Sequence, residues 1–391
     1  MIHSEHTSKP KKIKIAYLCT GNPQDKKIWS GTIFSMYDAL QKQGFDIEWI
    51  EVGKFSAFQN SVFLKIENFY KKIFQRGFNK NHFLLKALIA SGDLTKKLKS
   101  SRADVVFSPT YISELAFVKT QKPIVYLNDA TFHQLLNYYG SMSGFGFISK
   151  KLTVLIEKLA LKKTDQLVFS SQWAAQHAID FYKIPKNKVD VVKFGSNAAS
   201  PAEILRKDFT GEITFLFLGV EWQRKGGQIA LDTIKILHER NYNVKFLVVG
   251  CVPPIEDKVM SVIPFLNKNN PAEAQKVVEI LQTVHFIFMP TRADCTPISF
   301  CEAASYGLPV ISTDTGGVSA HVVSGETGIL LPLEANAGNY ADEIEKLLKN
   351  PASMEIFAKN ARLKYEKELN WEAWGEKMSS IMANLRNVQC S

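Results

Sequence analysis

Short apolar runs and helical stretches alternate along this 391-residue chain, and the series runs twice. In the first half, runs at 13–18, 46–52, 105–108, 124–127, 166–170 and 189–193 read as strands, with a helical segment over 30–43 after the first. The series restarts at 213–219, continues through a helix over about 227–240 and a strand at 244–249, and reaches another apolar run at 285–289. Strands joined through helices pair in parallel, because the crossover must cover one face of the sheet. The pattern therefore predicts an α/β chain built as two Rossmann-like, doubly wound units facing a cleft. The boundary falls near Asn197, giving expected units at 1–197 and 198–369 and a terminal segment at 370–391 that carries Trp371 and Trp374. A hydrophobic content of 46% against 22% charged residues gives each half enough apolar material for a core. No internal repeat or low-complexity tract is evident.

The densest chemistry follows the run at 285–289. Pro297 suits the first turn of a helix continuing through Tyr306, and Gly307 stops it. Asp294 is then left in the loop at the carboxyl end of a strand, and Glu302 stands about a turn and a half into the helix. Both can face one crevice, where open parallel sheets bind ligands. The helix start, at Ile298 and Ser299, offers free N–H groups and a positive dipole end that suit a phosphate, while carboxylates suit the hydroxyls of a ribose or sugar. The implied ligand is a nucleotide-sugar.

This stretch resembles the acid-x7-acid motif of retaining glycosyltransferases of family 4, which have the GT-B fold. The likeness extends through Gly307-Leu-Pro-Val-Ile and Thr315-Gly-Gly to the segment 325–332. By resemblance, Asp294 contacts donor-sugar hydroxyls, Glu302 binds the ribose, and residues 370–391 cross back to the first unit. Two departures stand out. Asp294 is one methylene shorter than the usual Glu, and Pro297 stands where many members have a glycine whose N–H faces the donor.

A second cluster, Gly219 to Gly227, is again a strand end, a turn and a helix start. Arg224 and Lys225 ahead of glycines can neutralise a diphosphate, the first by a planar fork and the second as a point charge. The segment resembles the family's Gly-Arg-x4-Lys-Gly element with Gly219 and Lys225 in register. Val220 occupies the usual arginine position, so Arg224 is expected to supply the missing guanidinium.

The first half carries an acceptor side. Trp29-Ser-Gly31-Thr32 opens a helix after the first strand, and a glycine there lets backbone approach a ligand closely. By resemblance Gly31 lies near the reacting phosphate, and Trp29 is either a sugar-stacking platform or local core. Asp129 and His133 end the strand at 124–127 on the same sheet edge and are cleft candidates. Segments 170–174 and 184–195 also resemble the family, whereas 53–103 does not.

That unmatched region holds Val62, Phe63, Ile66, Phe69, Ile73 and Phe74 at helical spacing among Lys65, Lys71, Lys72, Arg76 and Lys80, with Glu67 opposing them. With a formal net charge of +10, such a helix either docks on an anionic membrane surface, as monotopic family members with lipid-linked acceptors do, or packs its stripe into the first unit. No motif interleaves these charges for nucleic acid.

Cys19, Cys251, Cys295, Cys301 and Cys390 are odd in number and unpaired in spacing, which suits free thiols in a reducing compartment, with Cys295 as small buried filler. The apolar run after Lys9, Lys11, Lys12 and Lys14 is too short for a signal-peptide core, and no run reaches membrane-spanning length. The expectation is a cytoplasmic protein, peripheral on the inner face of the plasma membrane if the basic helix docks, with residues 1–10 a loose tail.

The resemblance implies metal-independent, retaining transfer of a sugar from a donor such as a UDP- or GDP-sugar to a sugar or lipid-linked glycan acceptor, with no cofactor. No His-x3-His or Cys-x2-Cys pair points to zinc. A sugar-nucleotide epimerase or a non-enzymatic sensor would share the cleft. A dinucleotide-dependent dehydrogenase would need Gly-x-Gly-x-x-Gly after the first strand, where Gly21 is followed by Pro23.

Overall fold

A computed structural model describes residues 12–203 and 207–390, so the expected tail over 1–10 lies outside the described residues. The first sheet holds β1 (Lys14–Cys19), β2 (Asp46–Glu51), β3 (Val105–Pro109), β4 (Ile124–Asn128), β5 (Gln166–Phe169) and β6 (Val189–Val191) in the order β2-β1-β3-β4-β5-β6. The second holds β7 (Ile213–Leu218), β8 (Val244–Val249), β9 (Met260–Ile263), β10 (Phe286–Met289), β11 (Val310–Thr313) and β12 (Gly328–Leu331) in the order β12-β11-β10-β7-β8-β9. Every pairing is parallel.

Central strands are buried on both faces, as parallel sheets require: every residue of β3, β10 and β11 is buried. The edge strand β9 gave no sequence signal because its four residues are half exposed and form no apolar block. In each sheet the strand order reverses once, between β1 and β3 and between β7 and β10. Crevices open at such reversals, because the flanking crossovers leave in opposite directions. The loops after β1, β3, β7 and β10 border these crevices.

The helix Trp371–Cys390 packs on the helix Thr32–Lys42, and Trp374, Met378 and Met382 are buried with Tyr17, Met36 and Leu40 in the core of the first sheet. Among the described residues Cys19, Cys251, Cys295 and Cys301 are free thiols; the Cys390 side chain lies outside them. No described helix is long and apolar enough to cross a membrane.

The basic segment departs from expectation. Its helix spans Ala57–Phe74, capped by Ser56 and Gln59 and ended by Gln75 at φ +50°. The six apolar residues do not form one face. Phe63 and Tyr70 turn inward to Phe78 and Phe83, while Phe58, Phe69, Ile73 and Phe74 are exposed. At 100° per residue, 63, 67 and 70 share one side and 58, 69 and 73 the other. Glu67 is therefore buried, bonded to Lys71 at 2.7 Å with Lys80 at 3.7 Å.

Candidate functional site

Asp294 lies in the loop between β10 and the helix Ile298–Ser305 and is 4% exposed. A buried carboxylate requires a partner, and Lys225 Nζ bonds its Oδ2 directly. Lys225 reaches it because Gly226, at φ +76°, starts the helix Gly227–Glu239 against the Pro290 carbonyl; a Cβ there would overlap that oxygen. The loops after β7 and β10 are thus locked together across the switch point.

Arg224 is committed differently from the free phosphate clamp that the sequence suggests. Its Nε and NH2 bond Glu221 at 3.0 and 2.8 Å, its NH1 bonds the Ala293 carbonyl at 2.8 Å, and Asp294 stands 4.0 Å away. The Arg224 bond holds the Glu221 carboxyl below its ordinary range. Val220, at the family's arginine position, is exposed.

Glu302 is 2% exposed inside the helix Ile298–Ser305, and Lys268 Nζ is its partner. Lys268 comes from the loop before the helix Pro271–Thr283 and also lines a cavity of about 300 Å³ with Lys26, Ser30, Gly31, Phe34, Ser35 and Asn197. The two acids therefore face two cations, and Lys268 shares its cavity with Gly31. Trp29, Ser30 and Gly31 all have positive φ, at 48°, 57° and 89°, a strained run held in place by Asn197, whose Nδ2 bonds the Ser30 carbonyl at 2.9 Å. Trp29 packs edge-on against Phe194, in the core rather than as an open platform.

The helix start at Ile298 and Ser299 carries no side-chain cap, since Pro297 precedes it. Ile298 also packs against the core of the first sheet, so this helix touches both units. Asp129, at the end of β4, is partly buried, and its carboxyl is pushed up to about 7 by burial and then by the Asp294 charge. Desolvation, reinforced by Asp129, also raises the Cys295 thiol well above its ordinary value, so the thiolate is disfavoured. His133 lies flat on Phe181 at 3.7 Å, with Nδ1 3.1 Å from His177 Nε2, while His177 Nδ1 meets Thr131 Oγ1 at 2.8 Å. It is held in a ring stack on the first unit.

Two family profiles match this chain, one described as Glycosyltransferase Family 4 over residues 32–198 and one as Glycosyl transferases group 1 over residues 212–350. The chain belongs to glycosyltransferase family 4. Among curated relatives of this family member, the D-inositol 3-phosphate glycosyltransferase of Gordonia bronchialis is 23% identical over 246 residues, 57% of this chain and 53% of that one. The capsular polysaccharide biosynthesis glycosyltransferase CapM of Staphylococcus aureus is 24% identical over 242 residues, 58% of this chain and 63% of that one. The chain thus spans between half and two-thirds of these relatives' lengths. In fold it is similar to a sucrose-phosphate synthase from Thermosynechococcus elongatus, with a TM-score of 0.68 at 15% identity, covering 96% of this chain and 100% of that one. The two parallel six-stranded sheets are those of a GT-B glycosyltransferase fold.

Three features around the two acids escaped the sequence. Lys268 sits in an irregular Asn- and Lys-containing loop with nothing to mark it. Asn197, read only as a boundary, joins the Gly31 loop to the terminal helix through Trp371 Nε1 at 3.0 Å. Tyr138 and Tyr139 reach the Asp294 loop from the other unit, a contact 156 residues apart in sequence. Pairings so distant leave no local pattern.

Proposed function

We propose that the protein is a retaining, metal-independent glycosyltransferase that moves a sugar from a nucleoside diphosphate to a hydroxyl acceptor. The observation that carries this reading is the pair of buried acids at one switch point, Asp294 on Lys225 and Glu302 on Lys268. In the proposed roles Glu302 takes the ribose hydroxyls, Asp294 takes donor-sugar hydroxyls, and Lys225 turns to the diphosphate as Asp294 engages the sugar. Arg224 and the uncapped amides at Ile298 and Ser299 complete the positive wall around the leaving group. Preorganised charge of this kind is worth several kcal/mol where leaving-group charge develops.

Residues 1–197 form the acceptor-side unit in this proposal and 198–369 the donor-side unit, with 370–391 fixing their relation. Asp129 and Gly31 border the acceptor, and His133 supports that edge. The departing phosphate assists the acceptor hydroxyl on the same face of the sugar, so no protein nucleophile is needed. The acceptor is a sugar or lipid-linked glycan in cell-surface polysaccharide or glycolipid assembly. Exposed Phe58, Phe69 and Ile73 beside Lys65 and Lys72 support peripheral contact with an anionic leaflet, the apolar rings entering the interface and the lysines meeting its charge.

Incubation with UDP-, GDP- and ADP-sugars and a glycan acceptor, followed by magnetic resonance of the new linkage, tests the reading. Retention at the anomeric carbon is expected. An inverted product, or a new sugar nucleotide formed without acceptor, overturns it.

A further inference from the structure

Three consecutive residues of the Asp294 loop have a backbone group held by a side chain rather than by a strand ladder. The Ala293 carbonyl accepts from Arg224 at 2.8 Å, the Asp294 N–H donates to Tyr138 Oη at 2.9 Å, and the Cys295 N–H donates to Tyr139 Oη at 3.1 Å. Arg224 comes from the same unit as the loop. The two tyrosines come from the other one, in the segment that follows β4, just past Asn137 at φ +62°.

The tyrosine contacts are built rather than incidental. The Tyr138 hydroxyl lies 3.1 Å from Thr315 Oγ1 and 3.3 Å from the Asp294 carbonyl, so its single proton has an acceptor on the same loop pair. Gly316, at φ +57°, makes room for it, since a Cβ there would overlap both the Tyr138 hydroxyl and the Asp294 carbonyl. Tyr139 donates to Cys295 Sγ at 3.1 Å, and its ring lies under the Arg224 guanidinium at 5.1 Å. Burial pushes the Tyr138 phenol up to about 12, so it keeps the proton it donates. Buried N–H groups require acceptors, and here the acceptors arrive only when the two units meet.

We propose that Tyr138 and Tyr139 are positioning residues that make the placement of Asp294 depend on closure of the cleft between the two units. With the tyrosines seated, the Asp294 and Cys295 amides are satisfied and the loop backbone is fixed where Asp294 meets Lys225; with the units apart, both amides lose these acceptors and the loop keeps only its bonds within the second unit. The inference deepens the proposed sugar transfer and rests on it for its kinetic part. It commits to one consequence: the hydroxyls govern the donor sugar and leave the nucleotide alone, since their bonds are to the Asp294 and Cys295 amides and Glu302 is held by Lys268.

The experiment compares wild type with Tyr138→Phe, Tyr139→Phe and the double variant, all of which keep the rings and their stacking. Amide hydrogen exchange of the segment 291–297 in the free protein should quicken in the variants. Turnover with a nucleotide-sugar should fall by about tenfold to a hundredfold, the range for a slightly misplaced reacting group, while calorimetric affinity for the bare nucleoside diphosphate stays unchanged. Unaltered exchange in either single variant overturns the contact. Faster exchange with unaltered turnover overturns the positioning role, and so does an equal loss of nucleotide affinity. If the wild type transfers no sugar at all, the proposed function fails, and the exchange comparison still decides whether the hydroxyls hold the loop.

Discussion

Glu302 and Lys268 form an ion pair between a carboxylate buried in a helix and a lysine 34 residues earlier at the rim of a cavity. The pair keeps a charged acid inside the second unit and leaves its cation within reach of a ligand. Glu302→Ala should weaken nucleotide binding by about 1.5–3 kcal/mol, the value of hydrogen bonds to a charged group, with the fold kept. Isothermal calorimetry with a nucleoside diphosphate reads this directly, and unchanged affinity would remove Glu302 from the ribose.

Asp294→Asn should separate sugar from nucleotide. The substitution removes the charge that neutralises Lys225, so affinity for the bare diphosphate should hold or rise while turnover falls. Parallel losses in both would contradict a donor-sugar role.

Lys225→Ala should lower turnover by about 10²–10³-fold, as does loss of one preorganised donor at a developing anion. Arg224→Ala should lower it over a similar range, here partly through the Ala293 carbonyl that its NH1 holds. Near-normal rates for the arginine variant would show that no guanidinium at this turn replaces the one missing at Val220.

The Asp129 carboxyl gives stability a pH dependence. Its folded value near 7 is raised above the unfolded reference of about 3.9 by burial and then by Asp294, so the folded state binds the proton more tightly. The resulting stability is fully present below the unfolded value, declines as pH rises, and is gone above about 7. Asp129→Asn should therefore unfold at higher denaturant than wild type at pH 8 and lose that advantage at pH 4. Chemical denaturation at the two pH values checks the sign; an equal gap at both would refute the assignment.

Co-sedimentation with anionic vesicles should capture the protein at low salt and release it as salt rises, because screening removes about 1 kcal/mol per surface lysine. Lys65→Glu with Lys72→Glu should abolish capture, and Phe69→Ser with Ile73→Ser should weaken it. No capture by anionic vesicles at low salt would leave the exposed stripe without a membrane role.

Local sequence patterns were enough for the fold class and for the loops after β7 and β10. Strand, glycine turn and helix start are local patterns, so the segments 213–227 and 285–307 were legible from period, proline and glycine alone. The sequence also marked both acids and the Arg224-Lys225 pair. The partners of those groups came from tertiary contacts, because pairing energies act between residues that are remote in sequence. Lys225 is bound to Asp294, Arg224 is turned to Glu221, and Glu302 is matched by an unmarked lysine. The same cause split the 57–74 helix. Its apolar count was visible, but the side that faces inward was set by Phe78 and Phe83 beyond its end, and by Glu67 finding Lys71 and Lys80. Which strand neighbours which followed only from assembling the sheets, and that order puts the loops after β7 and β10 side by side.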